Sequence, residues 1–211
     1  MSADCVRENR IAIMASGKGS NLQAILRAAA SGACPVVVRL VLSDTQDAGA
    51  LAIARDAGVP RVSSLNPKDY PDRAAFDAVC AEHIETAHCD WVVLAGYMRI
   101  LSDKFIARFR HRVINIHPAL LPSFTGAHAV RDALEYGVKV TGVTVHLVDD
   151  VLDGGPILAQ ASVEVRDDDD EATLHRRIQA VEHRLYPATL TQMIANGFRV
   201  KGRTVIWNSS G

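Results

Sequence analysis

The sequence predicts an α/β protein with a parallel sheet, in which buried strands alternate with helices. Short apolar runs rich in β-branched residues recur along the first half of the chain, and a segment of helical periodicity follows each of them. Such uninterrupted apolar runs suit parallel strands, which helices cover on both faces. The chain has 211 residues, 48% of them hydrophobic and 22% charged, which fits one domain with a sizeable core. We expect this domain over residues 10–200, with residues 1–9 and 201–211 as tails, the second containing a minor strand.

Four strand–helix units are predicted in the first half. The strands are expected at residues 10–15, 36–43, 61–64 and 91–95. The helices that follow them are expected at residues 22–30, 48–57, from Pro71 onward, and near 103–109. Gly32 and Gly58 come directly after the first two helices, where glycine favours a helix end.

The second half contains two longer strands joined by an acidic turn. Residues 141–148 and 157–165 alternate in the way that half-buried strands do. The turn between them, residues 149–156, is short, which favours an antiparallel pair. The parallel sheet is therefore expected to gain an antiparallel element.

Two further helices are predicted in this half. One covers residues 129–136 and ends at Gly137. The other starts in the charged run 167–171, which is expected to be solvated, and reaches Gly197. Pro187 lies inside it and is expected to interrupt it, because proline removes a helix hydrogen bond and clashes with the preceding turn.

The composition argues against several kinds of protein. There are 23 basic and 24 acidic residues, whereas nucleic-acid-binding proteins usually carry a basic excess, so a small-molecule substrate is expected. The chain has no apolar run of the length that a membrane span needs. Its four cysteines form no close pair, which predicts reduced thiols without a disulfide or a zinc site. We therefore expect a cytoplasmic protein.

A glycine loop, residues 16–21, joins the first strand to the first helix and reads Ser-Gly-Lys-Gly-Ser-Asn. Glycines let backbone N–H groups approach an anion, and the helix N-terminus attracts it. Leu22 stands where a dinucleotide fingerprint has its third glycine, and the Walker spacing is also missing. Two interpretations remain open. Either Gly19, Ser20 and Asn21 bind a phosphate, or the loop is a tight turn in which Ser20 or Asn21 caps the helix.

The stretch from residue 113 to 122, VINIHPALLP, combines a strand with chemically useful side chains. Asn115 and His117 are two residues apart, so both leave the strand on the same side, and Pro118 stops the strand. Asn can donate to an oxyanion while His moves a proton, which suits attack on a carbonyl carbon. The alternative is a buried structural histidine bonded to the backbone.

Three other segments could complete a pocket. Large side chains at residues 97–101 follow a strand, where open α/β sheets bind ligands; they line a slot for a flat ring or pack in the core. Asp153 precedes two glycines, and it either acts on a histidine or caps the turn. The loop at 123–128 could bring His128 toward His117.

Four of these segments together resemble the phosphoribosylglycinamide formyltransferase family. They are SGKGSNLQ at 16–23, LAGYMRIL at 94–101, NIHP and LLP within 115–122, and LDGGP at 152–156. The resemblance spans about residues 10–200. It implies a Rossmann-like, mostly parallel twisted sheet with helices on both faces, the formyltransferase fold. It also implies formyl transfer from 10-formyltetrahydrofolate to the amine of glycinamide ribonucleotide in purine synthesis, without a metal, by a monomer or homodimer.

The resemblance further implies roles for single residues. Asn115, His117 and Asp153 would be catalytic, and His128 would support them. The ribonucleotide would be held by Gly19, Ser20, Asn21, Gln179 and Glu182. The folate would contact Arg73, Met98, Arg99, Ile100, Leu101, Asn115, Asp149, Asp150, Val151, Leu152 and Asp153. The sequence departs from the family pattern at Lys18, where Asn or Thr is frequent, and at residues 125–128, where TGAH replaces PGLH.

Three other functions are alternatives to this one. Methionyl-tRNA formyltransferases and formyltetrahydrofolate hydrolases share the folate chemistry. The first carry an additional C-terminal tRNA-binding domain and the second an N-terminal regulatory domain, and neither is expected here. A non-catalytic nucleotide-binding module would use the glycine loop alone, and it would leave Asn115, His117 and Asp153 without a role.

Overall fold

The structure, a computed structural model, describes residues 8–208, which contain nine strands and six α-helices built around one sheet. The strands are β1 Arg10–Met14, β2 Val37–Ser43, β3 Arg61–Ser64, β4 Trp91–Leu94, β5 Val113–His117, β6 Val140–Leu147, β7 Ile157–Glu164, β8 Phe198–Lys201 and β9 Thr204–Trp207. The helices are α1 Ser20–Ala30, α2 Gly49–Asp56, α3 Arg73–Thr86, α4 Asp103–Arg108, α5 Ala129–Tyr136 and α6 Glu171–Asn196. A short 3₁₀ turn, Pro67–Asp69, precedes α3.

The sheet has the strand order β3-β2-β1-β4-β5-β6-β7-β9-β8. The five strands from β3 to β5 are parallel, whereas β6 runs antiparallel to both β5 and β7. The predicted parallel half and the predicted antiparallel pair are therefore both confirmed. The chain builds β2 and β3 on one side of β1 and returns to place β4 on the other side. The strand order therefore reverses between β1 and β4, and open α/β sheets bind ligands at the carboxyl ends of the strands near such a reversal.

Apolar side chains cover both faces of the sheet. Successive residues of β1 point to opposite faces, and the four residues from Ile11 to Met14 are almost fully buried. Ile11 and Ile13 face α1, α2, α5 and α6, while Ala12 and Met14 face α3 and α4. This double coverage explains why the strand sequences of the first half are continuously apolar.

Helix α6 continues without a break through Pro187, contrary to the prediction. The cost of an internal proline, about 3 kcal/mol, is offset because α6 packs its apolar side against α1 and the sheet. Two hydroxyls also bond to carbonyls one turn earlier, Thr189 to Leu185 at 2.8 Å and Thr191 to Pro187 at 2.9 Å. Tertiary packing therefore outweighs local propensity here.

The β8–β9 hairpin extends the sheet to Trp207, past the expected boundary at residue 200. Phe198 contributes to an aromatic cluster, with its ring centroid 6.0 Å from that of Trp91 and 5.8 Å from that of Trp207. The packing of these rings stabilises the β8–β9 hairpin at the edge of the sheet. Residues 1–7 and 209–211 of the expected tails lie outside the described residues.

The close approach of the acidic turn to the end of β6 predicts an effect of Gly155→Ala. A Cβ at Gly155 would lie 1.8 Å from the carbonyl oxygen of Leu147 and 2.9 Å from its carbon. The backbone must shift to admit it, so the free energy of unfolding is expected to fall by about 2 kcal/mol or more, as measured by urea denaturation. Gly17→Ala is the control, because a Cβ there meets nothing within 4 Å. Equal denaturation midpoints for the two variants would contradict this account.

Candidate active site

A cavity of about 490 Å³ opens at the carboxyl ends of β4 and β5. Its walls come from the segment after β4, from the end of β5, from the acidic turn before β7 and from the start of α3. The residues that the resemblance assigns to the folate all line it: Arg73, Met98, Arg99, Ile100, Leu101, Asn115, Asp149, Asp150, Val151, Leu152 and Asp153. This is the region where an open α/β sheet is expected to bind a ligand.

The side chains of the segment after β4 divide between the core and the cavity. Tyr97 and Leu101 are buried in the core, whereas Met98 and Ile100 are 73% and 57% exposed. Val151 and Leu152 of the acidic turn, which also line the cavity, are likewise exposed apolar side chains. The cavity thus presents apolar surface on two separate segments, which suits a flat ring.

The carboxylate of Asp153 faces two buried histidines. Its Oδ2 lies 3.5 Å from Nδ1 of His117, and its Oδ1 lies 3.8 Å from Nε2 of His146. Oδ2 also accepts the backbone N–H of Gly126 at 2.8 Å. Asp153 has φ of +51°, in the left-handed region, so the turn holds an unfavourable backbone conformation where it presents this carboxylate. The structure therefore brings Asn115, His117 and Asp153 to the same cavity.

His117 has an acceptor at each ring nitrogen. Nε2 donates to the carbonyl oxygen of Phe124 at 2.7 Å, and Nδ1 faces Asp153. A doubly protonated ring would thus have a partner for both of its N–H groups. Proton transfer from Nε2 to a bound molecule would require the contact with Phe124 to be exchanged first.

His146, which the sequence analysis left unassigned, orients Asn115. Its Nδ1 lies 3.0 Å from the carbonyl oxygen of Leu147, to which it donates, so Nε2 accepts from Nδ2 of Asn115 at 3.2 Å. Burial lowers the pKa of His146, which favours the neutral ring that this arrangement needs. The second N–H of the Asn115 amide stays available for another acceptor.

The signal for His146 in the sequence is its position on the strand paired with β5. In the β5–β6 register, Asn115 lies opposite His146 and His117 lies opposite Thr144. The period-2 alternation of β6 shows that residues 144 and 146 share a face, but it does not show which residues of β5 they meet. Only the β5–β6 register of the folded chain shows that Asn115 and His146 are paired.

Thr144 fixes the loop that follows His117. Its hydroxyl donates to the carbonyl oxygen of Ala119 at 2.7 Å and accepts the N–H of Leu121 at 3.0 Å. The amide of Gln160 donates to the same hydroxyl at 3.0 Å and to the carbonyl of Leu121 at 2.9 Å. The backbone just beyond His117 is therefore bonded to both β6 and β7.

The glycine loop begins α1 differently from the capped turn considered above. Gly19 precedes the helix with φ of +82°, while Ser20 and Asn21 are already its first residues, so neither caps it. A Cβ at Gly19 would lie 2.7 Å from Cα of Ala50, so glycine is required there for packing against α2 as well as for its φ. The first N–H groups of α1 have no acceptor within the helix, which suits an anion at this end.

Asn21 and Glu182 form a buried pair between α1 and α6. Nδ2 of Asn21 donates to Oε2 of Glu182 at 2.9 Å. Burial raises the pKa of Glu182, and the hydrogen bond from Asn21 opposes this rise. A carboxylate accepts hydrogen bonds and repels a phosphate, so Glu182 suits the hydroxyl groups of a ligand. Gln179 lies three residues earlier on α6 and is half-buried.

The structure does not place His128 in the cavity. Gly126 and Ala127 line the cavity, but His128 is exposed at the start of α5. The helix begins at the next residue, which fixes the backbone of His128 at the protein surface. Its supporting role stays a prediction.

The described part of the chain offers neither a cluster of metal-binding side chains nor a membrane-spanning helix. Residues 8–208 contain no group of three or more His, Cys, Asp or Glu side chains arranged to hold a metal ion. None of their helices combines the length and apolar character needed to cross a bilayer. Cys34, Cys80 and Cys89 are free and buried, while Cys5 lies outside the described residues.

Comparison with known proteins identifies a family. The sequence model described as Formyl transferase matches residues 9–190. The chain is 48% identical over 195 residues to phosphoribosylglycinamide formyltransferase from Mycobacterium tuberculosis (strain CDC 1551 / Oshkosh), covering 92% of this chain and 89% of that one. The protein of the same name from Escherichia coli (strain K12) is 42% identical over 181 residues, which are 86% of this chain and 85% of that one. The crystal structure of glycinamide ribonucleotide transformylase 1 from Symbiobacterium toebii superposes with a TM-score of 0.93 at 44% identity, covering 96% of this chain and 95% of that one.

The depressed pKa of His146 predicts a dependence of stability on pH. The unfolded chain protonates this imidazole near its ordinary value of about 6.5, whereas the folded protein does so only at lower pH. The unfolded state therefore binds more protons as the pH falls below that value, and the free energy of unfolding decreases. Between about pH 7.5 and 5.5, the wild-type melting temperature should fall more than that of His146→Gln.

The control for this prediction is His175→Gln, which removes an exposed imidazole from α6. Melting is followed by circular dichroism for all three proteins in the same buffers. If His146→Gln and the wild type lost stability in parallel, His146 would not be the neutral acceptor of Asn115.

Proposed function

This chain belongs to the formyl transferase family, and we propose that it is a phosphoribosylglycinamide formyltransferase. It transfers the formyl group of 10-formyltetrahydrofolate to the amine of glycinamide ribonucleotide, a step of purine synthesis. The observation that carries this proposal is the position of Asn115, His117 and Asp153 on one cavity.

The folate occupies the cavity in this proposal. The apolar side chains of Met98, Ile100, Val151 and Leu152 contact its ring system. The guanidinium groups at the cavity suit the carboxylates of the folate glutamate, because arginine binds carboxylates in a bidentate manner. Arg73 and Arg99 are the two arginines that line the cavity.

The ribonucleotide lies between the glycine loop and α6. Its phosphate accepts hydrogen bonds from the backbone at Gly19 and Ser20, where the N-terminus of α1 is electropositive. Its ribose hydroxyls donate to Glu182, whose position is fixed by Asn21. Gln179 completes this site on the preceding turn of α6. The amine of the ribonucleotide then reaches the formyl group beside Asn115.

The reaction follows from these positions. The amine attacks the formyl carbon, and the carbonyl oxygen becomes an oxyanion that accepts from the free N–H of Asn115 and from protonated His117. The C–N bond to the folate then breaks. The proton lost by the attacking amine balances the proton gained by the leaving nitrogen, with His117 as the acid. The Asp153 carboxylate lies 3.5 Å from Nδ1 of His117, where it can accept that N–H while His117 donates its other proton.

The proposal extends to the compartment, the cofactor requirement and the oligomeric state of the enzyme. Free, buried thiols at Cys34, Cys80 and Cys89 support a reducing compartment, and we infer a cytoplasmic enzyme. We also infer that the reaction needs neither a metal nor a nucleic acid, and that the enzyme is a monomer or homodimer. Size-exclusion chromatography with light scattering would decide the last point.

The experiment that tests the function follows folate absorbance with glycinamide ribonucleotide supplied or withheld. Formyl transfer predicts turnover that requires the ribonucleotide and yields the formylated product in equal amount. Equal turnover without the ribonucleotide would instead identify a hydrolase. No turnover in its presence would contradict the proposed function.

Asp153→Asn is expected to lower turnover by about 10² or more, because a neutral amide replaces the carboxylate that faces Nδ1 of His117. Turnover and melting temperature are measured for the same variant. Asp56→Asn, an exposed carboxylate on α2, is the matched control. A lower melting temperature with unchanged turnover would show that Asp153 only caps its turn.

Glu182→Gln is expected to separate binding from stability. The variant keeps the shape but removes a buried charge whose folded-state pKa is raised, so stability near neutral pH should be equal or higher. A neutral acceptor bonds more weakly to hydroxyls, so KM for the ribonucleotide should rise about tenfold while KM for the folate changes little. Glu135→Gln, exposed on α5, is the control. Equal effects on both KM values would remove Glu182 from the ribonucleotide site.

A further inference from the structure

We propose that Tyr186 is a positioning residue for formyl transfer, which holds the ends of β4 and β5 so that Asn115 is correctly placed. Tyr186 lies on α6, is fully buried, and belongs to none of the groups that touch a substrate in the proposed reaction. Its hydroxyl lies 3.0 Å from the carbonyl oxygen of Leu94 and 3.0 Å from that of Ile114. A single hydroxyl from a helix thus bridges two neighbouring strands of the sheet.

The bridge lies where the ladder between these strands ends. The β4–β5 register stops at Leu94 opposite Asn115. Leu94 and Asn115 both line the cavity, and Ile114 directly precedes Asn115. The hydroxyl of Tyr186 therefore bonds to the last carbonyl of β4 and to the carbonyl one peptide before the Asn115 side chain. Any change in the spacing of these carbonyls moves the amide of Asn115.

The environment of the hydroxyl keeps it a donor. Burial raises the pKa of Tyr186 well above its ordinary value, so the phenol stays protonated at working pH. Its one proton is shared between two carbonyls that the core shields from water. Without the hydroxyl, both carbonyls would lack this donor, and the strand ends would relax toward other partners.

Helix α6 connects this bridge to the ribonucleotide site. Glu182 precedes Tyr186 by four residues, so both lie on the same face of the helix. Glu182 accepts from Asn21 of α1, while Tyr186 donates to β4 and β5. One turn of α6 therefore separates the proposed ribose-binding carboxylate of Glu182 from the Tyr186 hydroxyl, which bonds to the strand ends beside Asn115. This step of the inference rests on the proposed function, because it takes Glu182 as a ligand of the ribonucleotide.

The test uses Tyr186→Phe, which removes one oxygen and keeps the ring. We expect kcat to fall roughly tenfold, while KM for each substrate changes by less than about twofold, because the substrates' contacts are intact and only the geometry of the reacting groups is altered. Thr189→Val is the matched control. It removes a buried hydroxyl from the same helix, one that bonds to Leu185 within α6 and does not reach the strands.

A second readout separates positioning from general loss of stability. The side-chain amide resonances of Asn115, followed by nuclear magnetic resonance in the full-length protein without ligands, should shift in Tyr186→Phe and stay in place in Thr189→Val. Unchanged kcat would overturn the proposal. A lower kcat with unmoved Asn115 resonances would overturn it too, because the defect would then not act through Asn115. The proposed function fails separately, if the wild-type protein shows no turnover that depends on the ribonucleotide.

Discussion

Asn115 meets His146 and His117 lies beside Thr144 because β6 runs antiparallel to β5 in one register. A slip of one residue would turn every side chain of β6 to the opposite face of the sheet. It would bring hydrophobic residues to the cavity and imidazole into the core. The register also places Thr144 where it bonds to the loop after β5. The site therefore depends on a pairing that joins the parallel half of the sheet to its antiparallel half.

His117 and His146 both face the carboxylate of Asp153, but their surroundings differ. His146 donates to its neighbouring carbonyl and is desolvated, so it accepts from Asn115 as a neutral ring. His117 has the nearer contact with Asp153 and reaches a backbone carbonyl with its other nitrogen. Residue type is the same in both, but environment differs: His146 orients an amide, whereas His117 is the one that moves a proton in the proposed reaction.

Local patterns in the sequence predict the parallel strands, and they predict that Asn115 and His117 lie on one side of β5. Strand β1 is predictable because both of its faces are apolar, and Asn115 with His117 because a spacing of two fixes a common side. The path of α6 through Pro187 was not predictable, since the packing that stabilises it comes from distant segments. His146, the carbonyl of Phe124 and Tyr186 were missed for the same reason. Each acts through a partner that only the folded chain brings near.

The glycine loop and the segment after β4 are bonded to each other through Ser16. Its backbone N–H donates to the carbonyl of Gly96 at 3.0 Å, and its hydroxyl accepts the N–H of Met98 at 2.9 Å. In the proposed function the first loop binds the phosphate and the second segment binds the folate, so a movement of either backbone would move the other through Ser16. Thermodynamic linkage then imposes a reciprocity. By whatever factor the bound ribonucleotide alters the affinity for folate, the bound folate alters the affinity for the ribonucleotide by the same factor.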